Sequence, residues 1–228
     1  MIADKKEFGL GLALFTGFWV LFAIFMSPVF AGKNLLDYMD GLYNSISKNS
    51  SYYIPAVKES VAKHAGTKIS FTVKAKTQDQ ADRITEMLNK TGEKVTSEGV
   101  SITFTGDMGK VLTAILDDAD LMFANNGTKI VEKYGKNERL VVFEWWNILK
   151  IGIADLNKRE LFAEGKVFHN VMTRGVEPAY NYYQIEAEPI SNKVGIVVLS
   201  LAGYVVYTLW FGFAILFMFE GWGIRLEH

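Results

Sequence analysis

Two long uncharged runs, one near each end, constrain this chain more than any other feature. From Phe8 to Ala31 (FGLGLALFTGFWVLFAIFMSPVFA) 24 residues pass without a charge, and from Val194 to Phe219 (VGIVVLSLAGYVVYTLWFGFAILFMF) 26 do. A helix rises ~1.5 Å per residue, so about 20 residues cross a ~30 Å hydrocarbon core. Each run is long enough to span with some tilt. Tyr204, Tyr207, Trp210 and Trp222 lie within or just beyond the second run. A buried core helix would need a shell of other helices that the rest of the sequence does not supply. We therefore expect transmembrane helices over 8–31 and 194–219, with short tails at 1–7 and 220–228.

The first run has a rival reading as a cleaved signal peptide, because Val29-Phe30-Ala31 offers small residues at the cleavage positions. Its apolar stretch exceeds the usual h-region of about 7–15 residues, and Asp4 and Glu7 dilute the basic end, so we expect it to be retained as a signal-anchor. Pro28 should kink or end the helix. Lys5, Lys6 and Arg225 on one side, against Lys33 and Lys193 on the other, favour both termini in the cytoplasm. The central domain would then be extracytoplasmic at the cell membrane, and periplasmic in a Gram-negative cell. The sequence has no cysteine, so no disulfide braces that domain.

The loop reads as α+β. A helical connector over 32–66 carries Leu35, Met39, Leu42 and Ile46 on one helical face, and Pro55 and Gly66 bracket a second helix. At Lys68–Lys74 the period changes to two, with Ile69, Phe71 and Val73 on one side of a half-buried strand. Thr77 and Gln80 have capping-box spacing ahead of a helix with Ala81, Ile84 and Leu88 inward. Val95 and then Ile102 and Phe104 mark two strands joined through Ser97-Glu98-Gly99. Asp107 caps the next helix, with Asp117, Asp118 and Asp120 outward, and Lys129-Ile-Val-Glu offers a last strand. The order β-α-β-β-α-β over 67–133 predicts a ferredoxin-like core. Over 134–193 the pattern returns to amphipathic helix. Its broad apolar face (Phe143, Trp145, Trp146, Leu149) must be buried in the domain, against a partner or in the membrane interface.

No residue pattern announces chemistry. His64, His169 and His228 are scattered without ligand spacing, so we expect no metal site and no cofactor. Neither a glycine-rich phosphate loop nor a Gly-x-Ser-x-Gly elbow occurs after a predicted strand. Asp117, Asp118 and Asp120 lack the alternating ligands and turn glycine of a calcium loop and read as a solvated face. Glu177, Glu186 and Glu188, with the nearby tyrosines, read as a polar rim, and Glu220 at the far end of the second span as reaching water. The formal net charge of -1 and the absence of a basic stripe argue against nucleic acid.

Association has a clearer signal. Gly9, Ala13 and Gly17 lie four apart, a small-residue edge that admits another helix closely. The second span of the same chain, through Gly195, Ala202, Gly203 or Gly212, is the simplest partner, and other membrane subunits come next. The expected function is a non-enzymatic, membrane-anchored accessory or scaffold subunit, whose domain docks onto a larger membrane assembly or self-associates as a homo-oligomer. The alternative is an extracytoplasmic sensory or ligand-binding module signalling through a separate cytoplasmic partner.

Overall fold

The computed structural model describes residues 2–224. In chain order the elements are α1 (Lys5–Met26), α2 (Leu35–Ser50), α3 (Ile54–Ala62), β1 (Lys68–Lys74), α4 (Gln78–Asn89), β2 (Lys94–Glu98), β3 (Ser101–Asp107) and α5 (Met108–Phe123). Then come α6 (Gly127–Tyr134), α7 (Glu138–Lys158), α8 (Phe162–Val171), a π turn (Met172–Val176), α9 (Glu177–Asn181) and α10 (Val194–Gly221). The chain divides into two compact units, Met1–Ile46 with Ala187–His228, and Ser47–Glu186.

In the first unit α1 and α10 run antiparallel. Asp4 caps α1 by accepting from the N–H groups of Lys6 (2.8 Å) and Glu7 (3.2 Å), and the N–H groups of Ala3 and Asp4 donate to the Gly221 carbonyl. Further along, the Trp210 indole donates to the Leu14 carbonyl (2.9 Å) and Phe18 stacks on Tyr207 (4.2 Å). The helices pack closely at Gly11, where an added Cβ would stand 2.6 Å from the Met218 nitrogen. Both helices are long and apolar enough to cross a membrane, and their most apolar windows are only 11 % and 0 % buried. That exposure separates them from core helices, because apolar helices bare on nearly all sides match a lipid solvent.

Helix α1 stops at Met26 rather than running to Ala31. Ser27, which precedes Pro28, takes extended backbone angles. The chain then reverses through a Phe30–Lys33 bridge, with Ala31 and Gly32 at positive φ. The expected small-residue edge is also redistributed. Gly9 on α1 and Gly203 on α10 have nothing within contact distance of an added Cβ, Ala13 is exposed, and an added Cβ at Gly17 would meet Trp210 of α10.

In the second unit the sheet order is β1-β3-β2, with both pairs antiparallel. Phe71 faces Phe104 and Val73 faces Ile102 on the buried side, the two phenyl rings stacking at 5.1 Å. On the other side Thr72 and Thr103 share a hydroxyl hydrogen bond. Gly99 takes the left-handed conformation (φ 58) that the tight β2–β3 connection needs. The first three strands therefore have the arrangement of a split βαβ unit, but the ferredoxin-like core is not formed. Lys129–Glu132, the expected fourth strand, lies inside α6. Ile130 and Tyr134, four apart, are both buried, and Gly135 (φ 64) closes the helix. The edge of β1 that a fourth strand would pair is met by α7: Asp155 accepts from Thr72 N–H (3.4 Å), and the Arg159 guanidinium donates to the Ser70 carbonyl.

Two polar ties close this unit. Asp107 caps α5 by accepting from Lys110 N–H (3.0 Å) and also accepts from Gly66 N–H (2.6 Å). At the unit's two chain ends the buried Lys48 amine donates to the Ile185 carbonyl (2.6 Å) and to Asn125 Oδ1 (2.9 Å). Asn125, at φ 58, also donates to the Ile185 carbonyl and to Glu186. Burial pulls the Lys48 ammonium below the ordinary lysine range, and Glu186 opposes that shift.

This packing makes two substitutions informative. Gly11→Leu forces side-chain atoms into the α10 backbone and should lower the thermal midpoint of the detergent-solubilised chain. Overpacking of this kind costs about 1–3 kcal/mol, whereas Gly9→Leu, into open space, should leave the midpoint unchanged. For Asp107 the Lys110 and Gly66 N–H groups hold the carboxyl below its ordinary value near 3.8. A carboxylate depressed on folding contributes stability that is complete above that value and lost as pH falls through the lower, folded one. Acid titration of Asp107→Asn, monitored by circular dichroism, should show a shallower loss of stability below about pH 4 than wild type.

Candidate functional site

The candidate site is built on α7, and a buried carboxylate sets the orientation of that helix. Asp118 of α5 is fully buried and accepts three hydrogen bonds: Lys133 Nζ (2.7 Å), Tyr134 Oη (2.6 Å) and Trp145 Nε1 (2.8 Å). Burial and the adjoining carboxylate raise the Tyr134 phenol above the tyrosine range, so it stays a donor. The residue pattern alone puts Asp118 outward with its neighbours. In the folded chain Asp117 and Asp120 face Lys58 (2.8 and 3.0 Å) while Asp118 turns inward. Three donors arriving from α6 and α7 make that burial sustainable.

Beside Trp145 a second carboxylate is buried. Glu144 accepts from Gln80 Nε2 (2.9 Å), Asn147 Nδ2 (3.1 Å) and the Arg83 guanidinium (3.2 Å), which ties α7 to α4. With Val142, Trp145, Ile148 and Leu149 inward, α7 turns Phe143 outward, and Phe143 is 45 % exposed. Trp146, partly buried, stacks beside it with ring centroids 6.0 Å apart.

The opposite wall comes from α9. The π turn Met172–Val176 sets it up, since its wider turn rotates α9 relative to α8. Val176, Glu177, Tyr180 and Asn181 then share one side and, with Val142, Phe143 and Trp146, line an open groove of about 290 Å³. Trp146 Nε1 donates to Glu177 Oε1 (2.9 Å) across it, and the Tyr180 ring stands 6.4 Å from Phe143. Lys150 lies over the Trp146 ring (4.6 Å), and Arg139 lies over Tyr180 (5.8 Å) and Tyr183 (5.0 Å). The Tyr183 hydroxyl donates to Glu138 (3.1 Å), and burial with that bond holds its proton above the usual range.

The expected face over Phe143, Trp145, Trp146 and Leu149 is therefore divided. Trp145 and Leu149 are core, and the exposed part is Phe143 with Trp146. Of the three glutamates read as a rim, Glu177 lines the groove with Tyr180, while Glu186 bonds to Asn125. Sequence reasoning missed the groove itself. Its signal is the row Arg139, Phe143, Trp146, Lys150 at helical spacing, opposite Glu177 and Tyr180. Among the described residues no three His, Cys, Asp or Glu side chains gather as metal ligands. Arg225 and His228, which entered the orientation and metal readings, lie outside the described residues.

Comparison with protein-family models, curated proteins and solved structures finds no match to this chain.

The division of the face gives a paired test. Trp145→Ser removes a buried indole and strips Asp118 of a donor, and should cost about 3–5 kcal/mol in denaturant unfolding. Trp146→Ser should cost about 1 kcal/mol, because its ring is partly exposed and Glu177 is left facing solvent.

Proposed function

We propose that this chain is a membrane-anchored accessory or scaffold subunit, held by two transmembrane helices and docking through its central domain onto a larger membrane assembly. The observation that carries this reading is the α7–α9 groove, where exposed Phe143 lies with the half-buried Trp146 and Tyr180 beside Arg139. Trp, Tyr and Arg are the residue types that concentrate binding energy at protein interfaces. The uncovered apolar faces of α1 and α10 fit a chain embedded in lipid beside other helices. In this reading both termini are cytoplasmic and the central domain is extracytoplasmic at the cell membrane, the orientation that the lysines flanking the spans favour.

A second reading, a sensory or ligand-binding module, draws on the same groove. Glu177 and Asn181 bring two polar groups to an aromatic surface, a composition that small-molecule sites share. The groove is shallow, and its most exposed ring would stay wet around a small ligand, so we place docking first.

Gentle detergent extraction from the native membrane, with native mass determination of the product, tests the proposal. Other subunits or further copies of this chain should co-migrate, and a lone chain would sink it.

A further inference from the structure

We propose that the α7–α9 groove receives a basic side chain, lysine or arginine, presented by the docking partner. This rests on the docking reading above and names the partner's chemistry. Among the described residues, Glu177 is the only charged one lining the groove. Its Oε1 is held by the Trp146 indole, which fixes the carboxylate in place, and among the described residues no hydrogen bond reaches Oε2. Among the described residues Glu177 has no ion-pair partner.

Three rings line the groove with that carboxylate. Phe143 and Trp146 form one wall, their planes 15° apart, and Tyr180 forms a second wall tilted 47° to Phe143. An organic cation drawn to that carboxylate gains further from any ring centroid within about 6 Å, and most when water is excluded. The chain's own cations already show that affinity at the groove's margins, Lys150 over Trp146 and Arg139 over Tyr180. Neither lines the cavity.

Charge complementarity then specifies the occupant. A carboxylate entering the groove would be repelled by Glu177, whereas an ammonium or guanidinium would pair with it. Arg139 and Lys150 stand on α7 to either side of the Phe143–Trp146 pair, so the partner surface flanking its basic residue is acidic or neutral. A protein surface, broader than a small ion, would also cover Phe143, which is 45 % exposed.

The test compares wild type, Glu177→Gln and the control Glu132→Gln after gentle extraction of the full chain, with the co-migrating partner quantified by native mass. Glutamine keeps an acceptor for the Trp146 indole and removes only the charge. Glu132 is an exposed carboxylate on α6. Glu177→Gln should lower the partner's yield at least about tenfold, the scale expected when one member of a desolvated charge pair is lost. Glu132→Gln should leave the yield unchanged. Tetramethylammonium chloride should release partner from wild type where sodium chloride at equal ionic strength does not. If the partner stays with Glu177→Gln and the two salts act alike, docking stands and the basic side chain is refuted. If nothing co-migrates with wild type, both readings fall together.

Discussion

Asp118 is the interaction on which the rest of the central domain depends. A carboxylate taken fully out of water costs several kcal/mol unless donors replace the solvent. Here the donors come from three side chains on two helices: Lys133 and Tyr134 of α6, and Trp145 of α7. Meeting that demand fixes the rotation of α7 about its axis, because successive helical residues point about 100° apart. Once Trp145 is committed inward, Phe143 faces outward and Trp146 lies at the boundary. The open groove is thus a geometric consequence of how a buried charge is satisfied.

Helix α7 is held by polar ties at Glu144 and Trp145 and again at its C-terminal end. Asp118 grips it at Trp145, Arg83 and Gln80 grip it at Glu144, and its last turns hold the edge of β1 through Asp155 and Arg159. An open strand edge invites pairing with another chain, and side-chain caps from a crossing helix remove that invitation. The same contacts leave no edge of β1 for a fourth strand. The missing strand and the position of α7 are two views of one arrangement.

That arrangement also separates what was legible in the sequence from what was not. Strands β1 and β3 announce themselves by alternation, the caps at Thr77 and Asp107 by residue type and spacing, and the two apolar helices by length alone. These signals are local, set by backbone geometry and by neighbours three or four residues away. Asp118 and Glu144 look like solvated polar positions because their partners come from distant segments, Glu144 from 61 and 64 residues away at Arg83 and Gln80. The pattern of a charged residue on a helix is the same whether water or a buried guanidinium satisfies it. Segment 129–132 is ambiguous for another reason. Four residues suit either period, and the helical spacing of Ile130 and Tyr134 becomes decisive only with Asp118 waiting for the tyrosine hydroxyl. The groove is half visible: Phe143 and Trp146 stand out in the sequence, but the placement of Glu177 and Tyr180 depends on a π turn that composition does not advertise.

The small-residue pattern of the first span shows a related limit. A Gly-x-x-x-Ala-x-x-x-Gly edge identifies where a helix can be approached, without saying which helix approaches or which neighbouring glycine it uses. In lipid, helices gain nothing from hiding apolar surface, so close packing and hydrogen bonds decide the pairing. Gly11 wins because it lies where α10 brings Ala214 and Met218, and because the Trp210 indole reaches the Leu14 carbonyl one turn on. The Trp210 bond to a backbone carbonyl fixes the rotation of α1, as Asp118 fixes that of α7. With α1 turned so, Gly9 and Ala13 lie on a side that α10 does not cover, and only Gly17 of the edge read from the sequence meets it.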